Sequence, residues 1–257
     1  MRLSTFVKIG AGVVVVAVLA AVGGVTLIIH GRPPALGLTQ SAARSPAPAQ
    51  SLDDPLALTC RRPAVSGTPT AGIDGLWTIQ PGSVAGYRAH EKFAEMTSPH
   101  EAVARTERLS GWILVSSSAA SVQLVTGCTA IDVGTLRSVD ALPGFDTRDR
   151  DRSAREMLRM DTHPFVVFQP YPASLTLDAS STAVQHVRLS GDLEIRGFTM
   201  RSTFSLDVRL QDNQLSAAGN TVVDVGDFGV DVPQAADGFV RVDPQITLEV
   251  SLVLLKA

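Results

Sequence analysis

Several groups of side chains in this 257-residue sequence could do chemistry, and most of them meet an obstacle. His90 beside Glu91 and His100 beside Glu101 have the composition of acid/base pairs. Both sit in alternating, strand-like sequence, where neighbouring side chains point to opposite faces. His30, His90, His100, His163 and His186 have no metal-ligand spacing, and Cys128 has no Cys-x-x-Cys companion. Asp146, Asp149, Asp151 and Asp161 offer hard oxygen ligands of the kind calcium takes. Arg148, Arg150 and Arg152 are interleaved with them, so helix capping and salt bridging account for the cluster, with Arg148-Asp149 fixing a loop. No Gly-x-Ser-x-Gly elbow, His-Glu-x-x-His pair or glycine-rich phosphate loop occurs. No catalytic residue, metal ligand or cofactor is therefore expected. Cys60 and Cys128 remain, and in an exported chain such a pair is readily oxidised, so a disulfide between them is expected.

The elements that would position these groups are mostly strands. Val187–Arg196, Phe204–Leu210 and Ile246–Leu252 alternate apolar and polar residues with period two, as a strand with one buried face must. Further strands are expected at Leu76–Gln80, Gly86–Lys92, Ala102–Glu107, Gly111–Ser116, Val122–Val133, Phe165–Phe168, Ser174–Asp178 and Gln214–Val225. Turn signals such as Pro81-Gly82-Ser83, Asp212-Asn213 and Asp237-Gly238 separate them. Asp149–Met160 breaks the pattern, with Ala154, Met157 and Leu158 on one helical face, capping-box spacing at Ser153 and Glu156, and Pro164 after it. Eight or more antiparallel strands with one apolar face must close or fold over to remove their edges, so the expected fold class is all-β, a barrel or sandwich with one short helix.

The segment before the strands divides in two. Ile9–Ile29 is an almost wholly apolar run, and 21 residues at ~1.5 Å each cross a ~30 Å hydrocarbon core. With Arg2 and Lys8 ahead of it, residues 1–8 are expected in the cytoplasm, 9–29 as a transmembrane anchor, and the rest outside a cell membrane. A signal peptide cleaved within the run is the competing reading. Residues 30–73 are rich in Pro, Ala and Ser and read as a spacer holding the domain, residues 74–257, off the membrane. A formal net charge of −3, with Lys only at positions 8, 92 and 256, argues against nucleic acid as a partner.

Several motifs together carry a resemblance. Gly75-Leu76-Trp77-Thr78-Ile79 with Pro81-Gly82-Ser83, Arg148-Asp149 before a short helix, and His163-Pro164-Phe165-Val166-Val167-Phe168 are the first three. Gly191-Asp192-Leu193-Glu194-Ile195-Arg196-Gly197-Phe198-Thr199, Asp227-Phe228-Gly229-Val230 and Val242-Asp243 follow in order. This set resembles the YceI family of exported, lipocalin-like polyisoprenoid-binding proteins. The resemblance implies an eight-stranded antiparallel barrel whose apolar interior receives an isoprenoid or similar long-chain lipid. Two departures touch the head-group end: no Arg stands shortly before Asp227-Phe228-Gly229, and Arg150, Asp151 and Arg152 replace a His-Leu pair. From strand parity, the lipid-lining residues are expected to be Phe168, Leu189, Leu193, Ile195, Phe204, Leu206, Val208, Leu248, Val250 and Leu252. An envelope protein-interaction module, its barrel filled by its own side chains, is the alternative function.

Overall fold

Alternating strands close a cylinder here because every stave finds a partner on both sides. The computed structural model describes residues 32–38, 54–64, 72–94, 99–118, 121–142, 146–211, 213–233 and 240–257. Among these residues thirteen strands form one antiparallel sheet. β1 (Gly75–Ile79) and β2 (Val84–Phe93) make the first stave, and β3 (His100–Thr106) with β4 (Leu109–Ser117) the second. β5 (Val122–Asp132), β7 (Phe165–Pro170), β9 (Gln185–Ile195), β10 (Phe198–Gln211), β11 (Gln214–Asp224) and β13 (Gln245–Lys256) follow in chain order. β13 then pairs back onto β1, Trp77 opposite Lys256, which closes an eight-stave barrel without a free edge. The short β6 (Arg137–Ser138), β8 (Ala173–Leu175) and β12 (Val240–Val242) extend single staves.

Pro81-Gly82-Ser83 does not separate two staves as the sequence suggests; it kinks one. β1 and β2 both pair with β13, Val84 lying opposite Ser251. Between them Gly82 has φ +90° and Ser83 N–H donates to Gln80 O at 3.2 Å, a tight turn that needs glycine's left-handed freedom. The buried Ser83 hydroxyl mends the interrupted ladder, donating to Gln80 O at 2.7 Å and accepting from Val253 N–H at 2.9 Å. At Gly219 the reason is space: a Cβ there would lie 1.9 Å from Ser205 O of the neighbouring strand. Gly219→Ala is therefore expected to destabilise the barrel by about 1–3 kcal/mol, read as a lower urea midpoint, because the backbone of β10 has to move.

The helix is α2 (Thr147–Met157), starting two residues earlier than its apolar spacing indicates and ending three earlier. Asp146 caps it by accepting from Arg148 N–H, so Ser153 and Glu156 lie inside a continuous helix and no second start occurs there. Arg159, at φ +50°, turns the chain back well before Pro164. The strand expected over Ser174–Asp178 is only the three-residue β8, since Asp178 turns back onto Ser180 and Gln185.

Two stretches of the expected spacer lie against the barrel's outer wall. α1 (Pro55–Thr59) buries Leu56 completely beside Cys60, Cys128 and Ala130. Cys60 and Cys128 form a disulfide with Cα atoms 5.4 Å apart. Residues 32–38 form a strap across β2, β3 and β13. Arg88 donates to the carbonyls of Pro33 and Pro34, Leu36 N–H donates to Glu249, and Ser251 Oγ donates to Gly37 O at 2.8 Å. Glu249 also takes Arg88 and Arg105, which is how a carboxylate on the outer face is nearly sealed from water. Among the described residues no helix is long and apolar enough to cross a membrane; the expected span 9–29 lies outside them, as does the Asp237-Gly238 turn.

Candidate functional site: an apolar cavity with one polar end

The interior is not filled. Side chains of the inner face surround a cavity of about 610 Å³, within the range of pockets that hold small-molecule ligands. All ten positions chosen from strand parity line it: Phe168 on β7; Leu189, Leu193 and Ile195 on β9; Phe204, Leu206 and Val208 on β10; and Leu248, Val250 and Leu252 on β13. Phe168 and Phe204 meet edge to face, ring centres 4.9 Å apart, at the waist. Towards one end the walls converge on Ile73, Val115, Val122, Leu215 and Leu254, packed with the fully buried Trp77. Trp77 Nε1 donates to Ile73 O at 2.8 Å, so the buried indole has its one donor satisfied.

The other end is the mouth. Exposed Asp146, Asp149 and Ser153 of the α2 region, and exposed Pro233, border the cavity there, beside Met157, Leu158 and Val232. The inner row of β2 runs up to it as Ala85, Tyr87, Ala89, Glu91 and Phe93. Hydrophobic alternation does not mark this row as a lipid wall, because it alternates small residues with a phenol and a carboxylate. The signal available was position: all five are odd-numbered on one strand.

Glu91 anchors a buried ionic network. Arg150 Nη1 donates to Glu91 Oε2 at 3.2 Å, and Nη2 donates to Asp140 Oδ1 at 2.5 Å. Its Nε and Nη2 also reach Ser138 Oγ, at 3.2 and 2.8 Å. Ser138 in turn donates to Asp151 Oδ1 at 2.6 Å, which ties the helix to β6. Asp140 accepts from Val103 N–H at 2.9 Å and lies 2.7 Å from His100 Nε2. The sequence gives the structural task to Arg148-Asp149, but Arg148 is exposed and, among the described residues, its ion pair is with Asp146, two residues before it. The His100 side chain is 13% exposed and is held by Asp140. Asp146, Asp149 and Asp151 are used in capping and ion pairs, and among the described residues no His, Cys, Asp and Glu gather as a metal site.

Environment splits these titrating groups. Burial pushes the Tyr87 hydroxyl up to about 12. Burial also raises Glu91 above the ordinary carboxylate value, against the pull of Arg150. Burial works the same way on Asp140, yet hydrogen bonds from His100, Arg150 and Val103 outweigh it and bring the carboxyl to about 2. Since the folded value lies below the ordinary 3.8, Asp140 contributes stability that is complete above about pH 4 and lost as pH falls through 2. Glu91, with its raised value, opposes that trend. Thermal unfolding followed from pH 5 to pH 2 is expected to show a loss of about 2 kcal/mol from Asp140, and Asp140→Asn to flatten that acid limb.

Comparisons with known proteins fit this geometry. No curated protein matches the chain. A polyisoprenoid binding domain from Saccharophagus degradans implicated in plant cell wall breakdown superposes with a TM-score of 0.51 at 12% identity, covering 70% of this chain and 98% of that one. Burkholderia cenocepacia BcnA gives 0.45 at 17% identity, covering 66% and 95%. A mutant CJ YceI protein with a monobromobimane guest gives 0.37 at 11% identity, covering 80% and 98%. The first likeness establishes the lipocalin-like barrel fold. The profile of the YceI-like domain matches residues 77–254, from the buried Trp77 to the last inward leucine of β13, and the chain belongs to the YceI-like family.

Proposed function

We propose that this protein binds a long apolar lipid of the polyisoprenoid kind inside its barrel, and that it does so without chemical turnover, as an exported protein held at a membrane by residues 9–29. The observation that carries the reading is the cavity: an apolar hollow of about 610 Å³ that is bordered by exposed residues beside α2. A barrel packed solid by its own side chains, as an interaction scaffold would need, leaves no such space. Burying several hundred Å² of hydrocarbon at about 25 cal/mol per Å² gives a gross gain on the order of 10 kcal/mol before association costs, so no covalent or ionic anchor is required.

The description of the Saccharophagus domain as polyisoprenoid binding supports the ligand class. The Cys60–Cys128 disulfide supports an oxidising compartment, as export requires. The strap supports a short tether: three peptide steps separate Ile29 from Arg32, a reach of at most ~11 Å. Mass spectrometry of lipid extracted from the natively purified protein, compared with a denatured and refolded control, is expected to show one dominant prenyl lipid. Lipid-free protein that also takes up no polyprenol would overturn the reading.

A further inference from the structure

We infer that the lipid carries a neutral, hydroxyl-bearing head group, an alcohol or phenol seated at the mouth end against Tyr87 and Glu91, and that the cavity rejects the same chain when its head is a phosphate or carboxylate. The inference rests on the lipid-binding reading and names the head-group chemistry of that site. Tyr87 points inward from β2 into the cavity, and its hydroxyl makes no hydrogen bond to any described residue. Tyr87 is half-buried and packs against apolar clusters that include Ala89, Ala104, Leu158 and Val166, with the charges of Arg150, Glu91, Asp151 and Asp140 near enough to act on its hydroxyl; a donor facing the void without a protein partner favours a ligand that supplies one. A ligand oxygen is the partner that this position suits. Four residues on along the same face, Glu91 also lines the cavity, and its bond to Arg150 uses Oε2 alone. A hydroxyl can accept from Tyr87 or donate to Glu91, so the inner row of β2 offers it both kinds of partner.

An anionic head finds no such welcome. Among the described residues lining the cavity Arg150 is the one cation, and each of its three nitrogens already donates, to Glu91, Ser138 and Asp140. It presents no free fork for a phosphate. Around it stand the carboxylates of Glu91, Asp140 and Asp151, and Asp146 and Asp149 lie at the rim, paired to Arg148 and Arg152. Arg155, whose buried Nη1 lacks a partner among the described residues, is not part of the cavity wall. Entry of an anion therefore meets desolvation and like charge with no unspent counter-ion among the described lining residues.

The test uses the full-length protein stripped of lipid and three C20 ligands of one carbon skeleton: geranylgeraniol, geranylgeranyl phosphate and the parent hydrocarbon. Binding is read by quenching of tryptophan emission and by calorimetry. The alcohol is expected to bind at least about tenfold more tightly than the phosphate. Tyr87→Phe, which removes only the hydroxyl, is expected to weaken the alcohol about three- to tenfold, to leave the hydrocarbon unchanged, and to keep or raise Tm. Phosphate binding as tight as the alcohol would overturn this inference while leaving the carrier reading intact. Equal loss of alcohol and hydrocarbon in Tyr87→Phe would likewise overturn it. Failure of all three ligands to bind would instead overturn the carrier reading on which it rests.

Discussion

Arg150→Met should destabilise the protein by about 3–5 kcal/mol, seen as a large fall in the urea midpoint with an unchanged slope. The substitution keeps much of the side chain's volume but removes the donor shared by Glu91, Asp140 and Ser138. Two carboxylates, 6% and 7% exposed as residues, then remain buried with their main cation gone, and that desolvation cost is the source of the magnitude. Arg148→Met, two residues earlier on the same helix, should leave the midpoint where it is, because the Arg148–Asp146 pair is open to solvent. Adding Asp140→Asn to Arg150→Met should cost less than the two effects summed, since both break one network. Equal effects at positions 148 and 150 would show that the network does not hold α2 against the barrel.

The contrast between these two arginines shows where the sequence is readable. Period-two alternation located the inner face of β9, β10 and β13, because a residue's side of a strand depends only on its parity once the register is set. All ten lining positions chosen that way face the cavity, and the eight-stave closure follows from the same need to leave no edge. The long-range network was illegible. Glu91, His100, Asp140 and Arg150 come from β2, β3, the segment after β6 and α2, and no local spacing links them. Arg148, Arg150 and Arg152 are chemically alike in the sequence; only the helix phase, set by the Asp146 cap, turns Arg150 towards the barrel. The strap was missed for a related reason. Residues 32–38 have a linker's composition, and they dock through backbone carbonyls, which carry no sequence signature.

Filling the hollow should abolish lipid uptake while leaving the barrel standing. Ala217 on β11 is buried at the cavity's waist, packed with Val208 and Val250 and facing the void. A graded series, Ala217→Val, Ala217→Phe and Ala217→Trp, adds apolar volume step by step where side chains have space to enter. Affinity for an isoprenoid chain is expected to fall with each step and to drop by about a hundredfold or more at Trp, as the ring takes the place of several methylenes that each contribute about 0.8 kcal/mol. Stability should move the opposite way or stay level, because the added side chain buries apolar surface against walls that lack contacts there. Overpacking would lower Tm together with affinity, and this separates a blocked cavity from a damaged one. Full lipid binding by a folded Ala217→Trp protein would place the ligand somewhere other than the barrel interior, and the whole functional reading would then have to move to the outer wall.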